Sequence, residues 1–299
     1  MMSQPFNSGW IVVPQVRALR ETVYGVKTHY VYAGDGEPVV LIHGGGPGAS
    51  GASGWARTIP ALAERFRVYA IDLIGFGYTD KPYIDYSFQT LVEHVAGFVD
   101  ALNLNQVRIA GNSQGAYVAI KYTLDHPARV KQAALISTGT LATACGIGDQ
   151  GRATALPRFD GSRESLRAFL EVIVNDPSKI TDELVDARFA VASLPGHREA
   201  LESLGRYRRL VQEDPSQRQV YDVRARLPLL QVPYCFIWGG ADRSAPLDPL
   251  GLGLKALCPD APFHVVEGSG HQVQNDKPDE CNRLLLQFFS SAAPERVTV

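Results

Sequence analysis

The chain has 299 residues, 45% of them hydrophobic, with 29 lysines and arginines against 31 aspartates and glutamates and a formal net charge of −2. That length and composition describe an ordinary globular protein, one large domain or a domain with an insertion, able to bury a substantial core. Near-neutral charge with the signs interspersed argues against a nucleic-acid partner, and no lysine or arginine run points to a membrane surface, so the expected partner is a small-molecule substrate.

The start Met1-Met2-Ser3-Gln4-Pro5-Phe6 lacks a charged region followed by an apolar stretch, and no apolar run approaches a membrane span, so the chain is expected to be cytoplasmic. A hairpin-like segment over 23–32 precedes a strand over 38–42, which ends in His43-Gly44-Gly45-Gly46-Pro47-Gly48. Such a run leaves backbone N–H groups free to point at a ligand, and His43 is expected to orient it by hydrogen bonding. A strand over 68–72 leads to Gly75-Phe76-Gly77, which is not a dinucleotide motif because no helix opens at the glycines. A helix over 90–102 follows.

The next segment is the most informative. The apolar run Val107-Arg108-Ile109-Ala110 enters Gly111-Asn112-Ser113-Gln114-Gly115 and continues into Ala116-Tyr117-Val118-Ala119-Ile120-Lys121-Tyr122, a helix pattern. Strand, sharp turn and helix around G-x-S-x-G make a nucleophile elbow, in which the glycines let backbones approach and the serine hydroxyl projects above a sheet edge. A strand over 133–137 closes this alternating half, and alternation of this kind implies a mostly parallel, doubly wound sheet. From 140 to 225 the pattern changes to helical periodicity, as over 165–174 and 181–189, with no strong strand. These residues are expected to form a helical lid inserted into a core domain of 1–139 and 226–299.

Strands resume at 233–238, running into Gly239-Gly240-Ala241-Asp242, and at 263–266, followed by Glu267-Gly268-Ser269-Gly270-His271. A final helix covers 281–289. A serine hydroxyl is a poor nucleophile until a base takes its proton, and these loops supply His271 as base and Asp242 as its partner at the same carboxyl edge as Ser113. The order Ser, Asp, His is that of the α/β-hydrolases. Asp248 is the alternative acid, but it lies beyond Pro246, where the chain should be leaving the sheet edge. The oxyanion hole would take one N–H from Gln114 and another from Gly45 or Gly46. His29, His94, His126, His197 and His264 are assigned to surface or packing roles.

Cys145, Cys235, Cys258 and Cys281 are scattered without the close pairs used for zinc or redox exchange, which favours a reducing compartment. Cys235 reads as core, and Cys145, where the lid begins, is expected to line a cavity. With no metal cluster or nucleotide fingerprint, the chemistry is expected to need no cofactor.

Over most of its length the chain resembles the meta-cleavage-product hydrolases, α/β-hydrolases that break a carbon–carbon bond in 2-hydroxy-6-oxo-hexa-2,4-dienoates from aromatic ring degradation. The likeness rests on His43-Gly44-Gly45-Gly46-Pro47-Gly48-Ala49, on Ile71-Asp72-Leu73-Ile74-Gly75-Phe76-Gly77-Tyr78-Thr79-Asp80, on Gly111-Asn112-Ser113, on Leu184-Val185-Asp186-Ala187-Arg188-Phe189 with Pro195-Gly196, and on Gly270-His271 followed by Gln274. It implies Ser113 as nucleophile, His271 as base and proton shuttle, Asp242 as its partner, Asn112 as a polar contact beside the serine, and Arg188 as the group that binds the dienoate carboxylate bidentately. It further implies attack on the ketone carbon, loss of a stabilised dienolate, an acyl-enzyme cleared by water, and assembly into dimers or higher homo-oligomers. Two positions depart from the family pattern. Gln272 stands where a tryptophan usually follows the catalytic histidine, among the substrate contacts, and Gly54 where an asparagine usually reaches the carboxylate end. A carboxylesterase or lactonase needs the same triad without an enolate leaving group, and a ligand-binding receptor can retain the triad without fast turnover.

Overall fold

The structure is a computed structural model that describes residues 6–148 and 156–291. The start read at Met1-Met2-Ser3-Gln4-Pro5, and the part of the expected lid over 149–155, lie outside these residues. Eight strands form one sheet: β1 (Asn7–Arg17), β2 (Thr22–Ala33), β3 (Glu37–Ile42), β4 (Phe66–Ile71), β5 (Val107–Asn112), β6 (Val130–Ile136), β7 (Tyr234–Gly239) and β8 (Phe263–Val266). Their order is β1-β2-β4-β3-β5-β6-β7-β8. β1 pairs antiparallel with β2, and β2 with β4; the other neighbours run parallel.

The central strands read as unbroken apolar runs because both of their faces are covered. Val40 and Ile42, Ile109, Leu135, Phe236 and Trp238 point into one core, whereas Val39 and Leu41, Ala110, Ile136, Cys235 and Ile237 point into the other. That is the period-two alternation of a pleated strand. The first core is closed by α3 (Phe88–Ala101) and α4 (Gln114–Asp125), the second by α1 (Gly51–Trp55), α2 (Ile59–Ala63) and, after the short α10 (Leu252–Leu257) and α11 (Val273–Asp276), the C-terminal α12 (Pro278–Ser290). The helices begin where the sequence supplies caps: Ser87 accepts from the Thr90 N–H at the start of α3, and Thr90 reciprocates on the Ser87 backbone.

Residues 23–32 are not themselves a hairpin. They form part of the single strand β2, whose antiparallel partner is the N-terminal β1. Gly25, a turn signal in the sequence, falls within β2 at a backbone φ of +67°, at the register position of Pro14, where the ladder is interrupted because proline has no N–H. Cys145 is buried in the main core and stays off the walls of the three main cavities.

Between β6 and β7 come α5 (Gly139–Ala144), α6 (Arg163–Ile173), α7 (Asp182–Ala192), α8 (His197–Glu213) and α9 (Pro215–Tyr221), with no strand among the described residues of this stretch. Ser162 and Thr181 cap α6 and α7 through their side chains. α6 and α7 share a small apolar cluster of their own around Leu166, Phe169, Leu170, Ile173 and Val185. α8 instead packs Ala200, Leu204, Tyr207 and Val211 onto the main core. α8 thus packs on the main core, and α6, α7 and α8 all reach the glycine loop that follows β3. Among the described residues no helix is long and apolar enough to cross a membrane.

Candidate active site

β5 ends and α4 begins at Ser113, whose backbone sits at φ 57° and ψ −123°. A non-glycine residue there costs ~1–3 kcal/mol and persists only where its surroundings over-determine it. They do. A Cβ on Gly111 would lie 2.2 Å from the Gly115 carbonyl oxygen, and one on Gly115 would lie 2.4 Å from the His43 and Ile42 oxygens. Only glycines let α4 start this close to β3 and β5. The Ser113 N–H is spent on the Ile136 carbonyl at 2.8 Å.

His271 and Asp242 meet behind this elbow. His271 Nδ1 donates to Asp242 Oδ2 at 2.7 Å, and both side chains are buried. The other carboxylate oxygen accepts from the Ser244 N–H at 2.9 Å, the Ser244 hydroxyl at 3.1 Å and the Ala245 N–H at 2.8 Å. Three donors on Oδ1 hold the carboxylate in place, so the Nδ1 proton is fixed toward Asp242 and Nε2 is left as the acceptor facing the cavity. Asp248 is exposed. Among the described residues no hydrogen bond joins Ser113 Oγ to His271, although both line one cavity; such contacts are often long in a free enzyme and tighten in the complex.

The loop carrying His271 is itself tethered. The Gly270 N–H donates to Asp276 Oδ2 at 2.7 Å, and the Asn112 side-chain amide donates to the His271 carbonyl at 2.9 Å. Asn112 therefore spends its amide donor on protein.

Gln114 is the first residue of α4, so its N–H has no acceptor one turn back. In the glycine loop, the Gly45 and Gly46 N–H groups have no acceptor among the described residues. His43 shapes that loop: Nδ1 donates to the Gly44 carbonyl at 2.7 Å while Nε2 accepts from the Leu73 N–H at 3.1 Å. Burial pushes its pKa down, which suits a neutral ring in this double role. The inserted helices press on the same loop at three points. A Cβ on Gly46 would meet the Phe169 ring at 2.4 Å, one on Gly48 would meet the Arg188 carbonyl oxygen at 2.1 Å, and the Gly48 N–H donates to His197 Nε2 at 3.0 Å.

A cavity of about 710 Å³ brings together Ser113, His271, Gly45, Gly46, Asn112, Gln114 and Gln272. Asp242 lies behind His271 and Arg188 lies elsewhere. The Arg188 guanidinium is buried, donates to the Pro47 carbonyl from Nε at 3.3 Å and Nη2 at 2.8 Å, and lines a second cavity of about 610 Å³. Burial lowers its pKa to about 10, so it remains charged at neutral pH. Gln272 lines both cavities and forms part of the wall between them. Gly54, the other departure, has no room to spare, since a Cβ there would stand 3.0 Å from the His43 Cβ.

Sequence reasoning missed three things. His197, assigned to a surface or packing role, bridges the Gly48 N–H and the Gly75 carbonyl; Pro195-Gly196 just before it carried part of the family resemblance but no sign of a contact with two loops. Arg208 reaches the cavity from α8 and donates to Gln114 Oε1 at 2.8 Å, and only the direction of the helix axis reveals that. The third is a second serine, histidine and aspartate contact: His29 Nδ1 donates to Asp72 Oδ2 at 2.7 Å, and its Nε2 lies 2.7 Å from Ser8 Oγ. Asp72 also accepts from the Gly51 N–H at 2.6 Å and the Tyr78 N–H at 2.8 Å, so it organises loops. Ser8 lies exposed on β1 without the positive-φ elbow that presents Ser113. A relay alone does not make a nucleophile.

A family profile described as the alpha/beta hydrolase fold matches residues 37–278. A 2-hydroxy-6-oxo-6-phenylhexa-2,4-dienoate hydrolase of Burkholderia cepacia is 34% identical over 275 residues, covering 89% of this chain and 92% of that one. A 2-hydroxy-6-oxononadienedioate/2-hydroxy-6-oxononatrienedioate hydrolase of Pseudomonas putida is 33% identical over 278 residues, covering 91% and 94%. Among solved structures, the meta-cleavage product hydrolase CumD of Pseudomonas fluorescens superposes with a TM-score of 0.73 at 32% identity, covering 93% of this chain and 97% of that one.

Proposed function

We propose, from the premise that this chain belongs to the α/β-hydrolase fold family and within it to the meta-cleavage product hydrolases, that it is a serine hydrolase of a 2-hydroxy-6-oxo-hexa-2,4-dienoate. The observation that carries the reading is the Asp242-fixed His271 in one cavity with an elbow serine and unsatisfied loop amides.

His271 Nε2 takes the Ser113 proton as Oγ attacks the C6 ketone, and the oxyanion falls to the Gln114 N–H with Gly45 or Gly46. The C5–C6 bond is cleavable in the keto form, reached before attack when the C2 hydroxyl loses its proton and C5 gains one; the bond then breaks with its electron pair delocalised into a dienolate, whose C2 oxygen takes up a proton. His271 next activates water, which clears the acyl group from Ser113 as a carboxylic acid. The sum is the addition of one water across the C5–C6 bond.

The dienoate arm is assigned to the side of Arg188, past Gln272, where a buried guanidinium supplies a fixed positive charge for its carboxylate. α6, α7 and α8 act as a lid that excludes bulk water from the acyl-enzyme, and they support the oxyanion loop from above.

The test is the visible absorbance of a phenyl-substituted 2-hydroxy-6-oxo-hexadienoate. Rapid bleaching by the wild type and none by Ser113→Ala is the expected result. No bleaching by either protein, with ester hydrolysis intact, rules out carbon–carbon cleavage and leaves an esterase or lactonase.

A further inference from the structure

The cavity over Ser113 is strongly cationic in a protein whose net charge is −2. Among the described residues its walls carry Arg158, Arg198, Arg206, Arg208 and Arg209 against a single carboxylate, Glu202. Glu202 is engaged by Arg158 and Arg198. Among the described residues no carboxylate lies within ion-pair distance of the other three.

Arg208 is the innermost of these by its contacts. It lies on the walls shared by the main cavity and a smaller one of about 260 Å³, which meet at Ser113 and His271. Its side chain stays accessible within that space. Nη2 is held by Gln114 Oε1, and a Cβ on Gly45 would stand 3.0 Å from that oxygen and 3.6 Å from Nη2. The pair therefore sits against the oxyanion loop. The contact leaves Gln114 Nε2, on a side chain only 1% exposed, a buried donor with no acceptor among the described residues. A guanidinium lacking a counter-ion and an orphaned amide are both donors, and together they call for an anionic acceptor.

We propose that Arg208, positioned by Gln114, binds a carboxylate on the acyl side of the scissile bond, so that the substrate is an anion at both ends. The assignment to the acyl side rests on the function proposed above, which gives the dienoate carboxylate to Arg188. The remaining cationic wall draws the substrate in by its field. Two relatives span the choice, one a hydrolase of a 6-phenyl dienoate and the other of a dienedioate. The charge on this wall sides with the second.

Two p-nitrophenyl esters of equal acyl length test this without requiring carbon–carbon cleavage: the monoester of glutaric acid, which carries a terminal carboxylate, and the valerate, which does not. The wild type should favour the glutarate ester in kcat/KM by roughly tenfold to a hundredfold, the worth of one charge-assisted contact. Arg208→Met should bring the ratio near one, and Arg208→Lys should restore part of it. Added salt should erode the wild-type preference. A wild type indifferent to the charge, or an Arg208→Met protein that keeps the wild-type ratio while both rates fall, overturns the proposal. Should neither ester turn over, calorimetry of free glutarate and valerate on the Ser113→Ala protein decides. Glutarate binding lost with Arg208→Met supports the site, and equal or absent binding of both overturns it. Because these probes ignore the dienolate, failure to bleach a dienoate is a separate outcome.

Discussion

The side-chain amide of Asn112 donates to the main-chain carbonyl of His271 at 2.9 Å, so the residue before the nucleophile clamps the residue that carries the base. The same nitrogen also reaches the Ile136 carbonyl at 3.3 Å, which ties the clamp to β6. The elbow is thereby tied to the histidine loop. Asn112→Ala removes the clamp and is expected to lower kcat by roughly tenfold to a hundredfold, the scale of a misplaced catalytic group, while KM changes little. Steady-state kinetics on any turned-over ester reads this. A rise in KM with kcat preserved would instead make Asn112 a substrate contact, as the family resemblance implies.

Asp242→Asn presents an amide to His271 where a carboxylate stood. With Oδ1 fixed by Ser244 and Ala245, the Nδ2 group would face Nδ1 and turn the ring to the tautomer that cannot accept the Ser113 proton. The expected loss is roughly 10³- to 10⁴-fold in kcat, by analogy with the same substitution in other serine triads. Asp248→Asn, on the exposed alternative acid, should leave kcat within about twofold, since surface changes away from the site are nearly neutral. A comparable loss in both variants would reopen the assignment of the acid.

Much of this was legible in the sequence because the signals are local. G-x-S-x-G after an apolar run announces the elbow, and the two glycines turn out to be required by 2.2 Å and 2.4 Å approaches to backbone. The late strands and their loops placed Asp242 and His271 by the same logic. What escaped the sequence is relational. The hairpin misreading arose because Gly25 signals a turn equally well inside a strand, and nothing local identifies Asn7–Arg17 as the partner of Thr22–Ala33. Arg188 and Arg208 lie on different helices with similar local patterns. Only the helix axes show that the first reaches the Pro47 carbonyl and the second the Gln114 side chain.

Gly48 and Gly25 share nearly the same φ, +65° and +67°, but have different surroundings. A Cβ at Gly25 meets nothing within 4 Å, whereas one at Gly48 would lie 2.1 Å from the Arg188 carbonyl oxygen. Gly25→Ala should therefore show the backbone strain alone, about 1 kcal/mol. Gly48→Ala adds displacement of α7 and should cost ~2–4 kcal/mol, in the range of overpacking. Urea unfolding of the two variants measures the difference, and equal costs would mean that α7 yields freely over the glycine loop.

His197 gives the fold a defined sensitivity to acid. Its ring accepts the Gly48 N–H on Nε2 and donates from Nδ1 to the Gly75 carbonyl, and burial lowers its pKa from 6.5 to about 4. The neutral ring is the folded form, so below pH 6.5 the unfolded chain takes up the proton first and stability falls as pH drops toward 4. The full effect of a depression from 6.5 to about 4 is roughly 3 kcal/mol at and below the lower pKa, and nothing is lost above neutrality. Buried His94, lowered to about 3, and His43, lowered by the same desolvation, act in the same direction. His197→Gln keeps one acceptor and one donor but cannot titrate. Between pH 6 and 5 its unfolding free energy should change by about 1.2 kcal/mol per pH unit less than that of the wild type, close to the slope of one proton. Urea titrations of both proteins from pH 7.5 to 4.5 measure that slope, and identical slopes would place the acid sensitivity in the other two histidines.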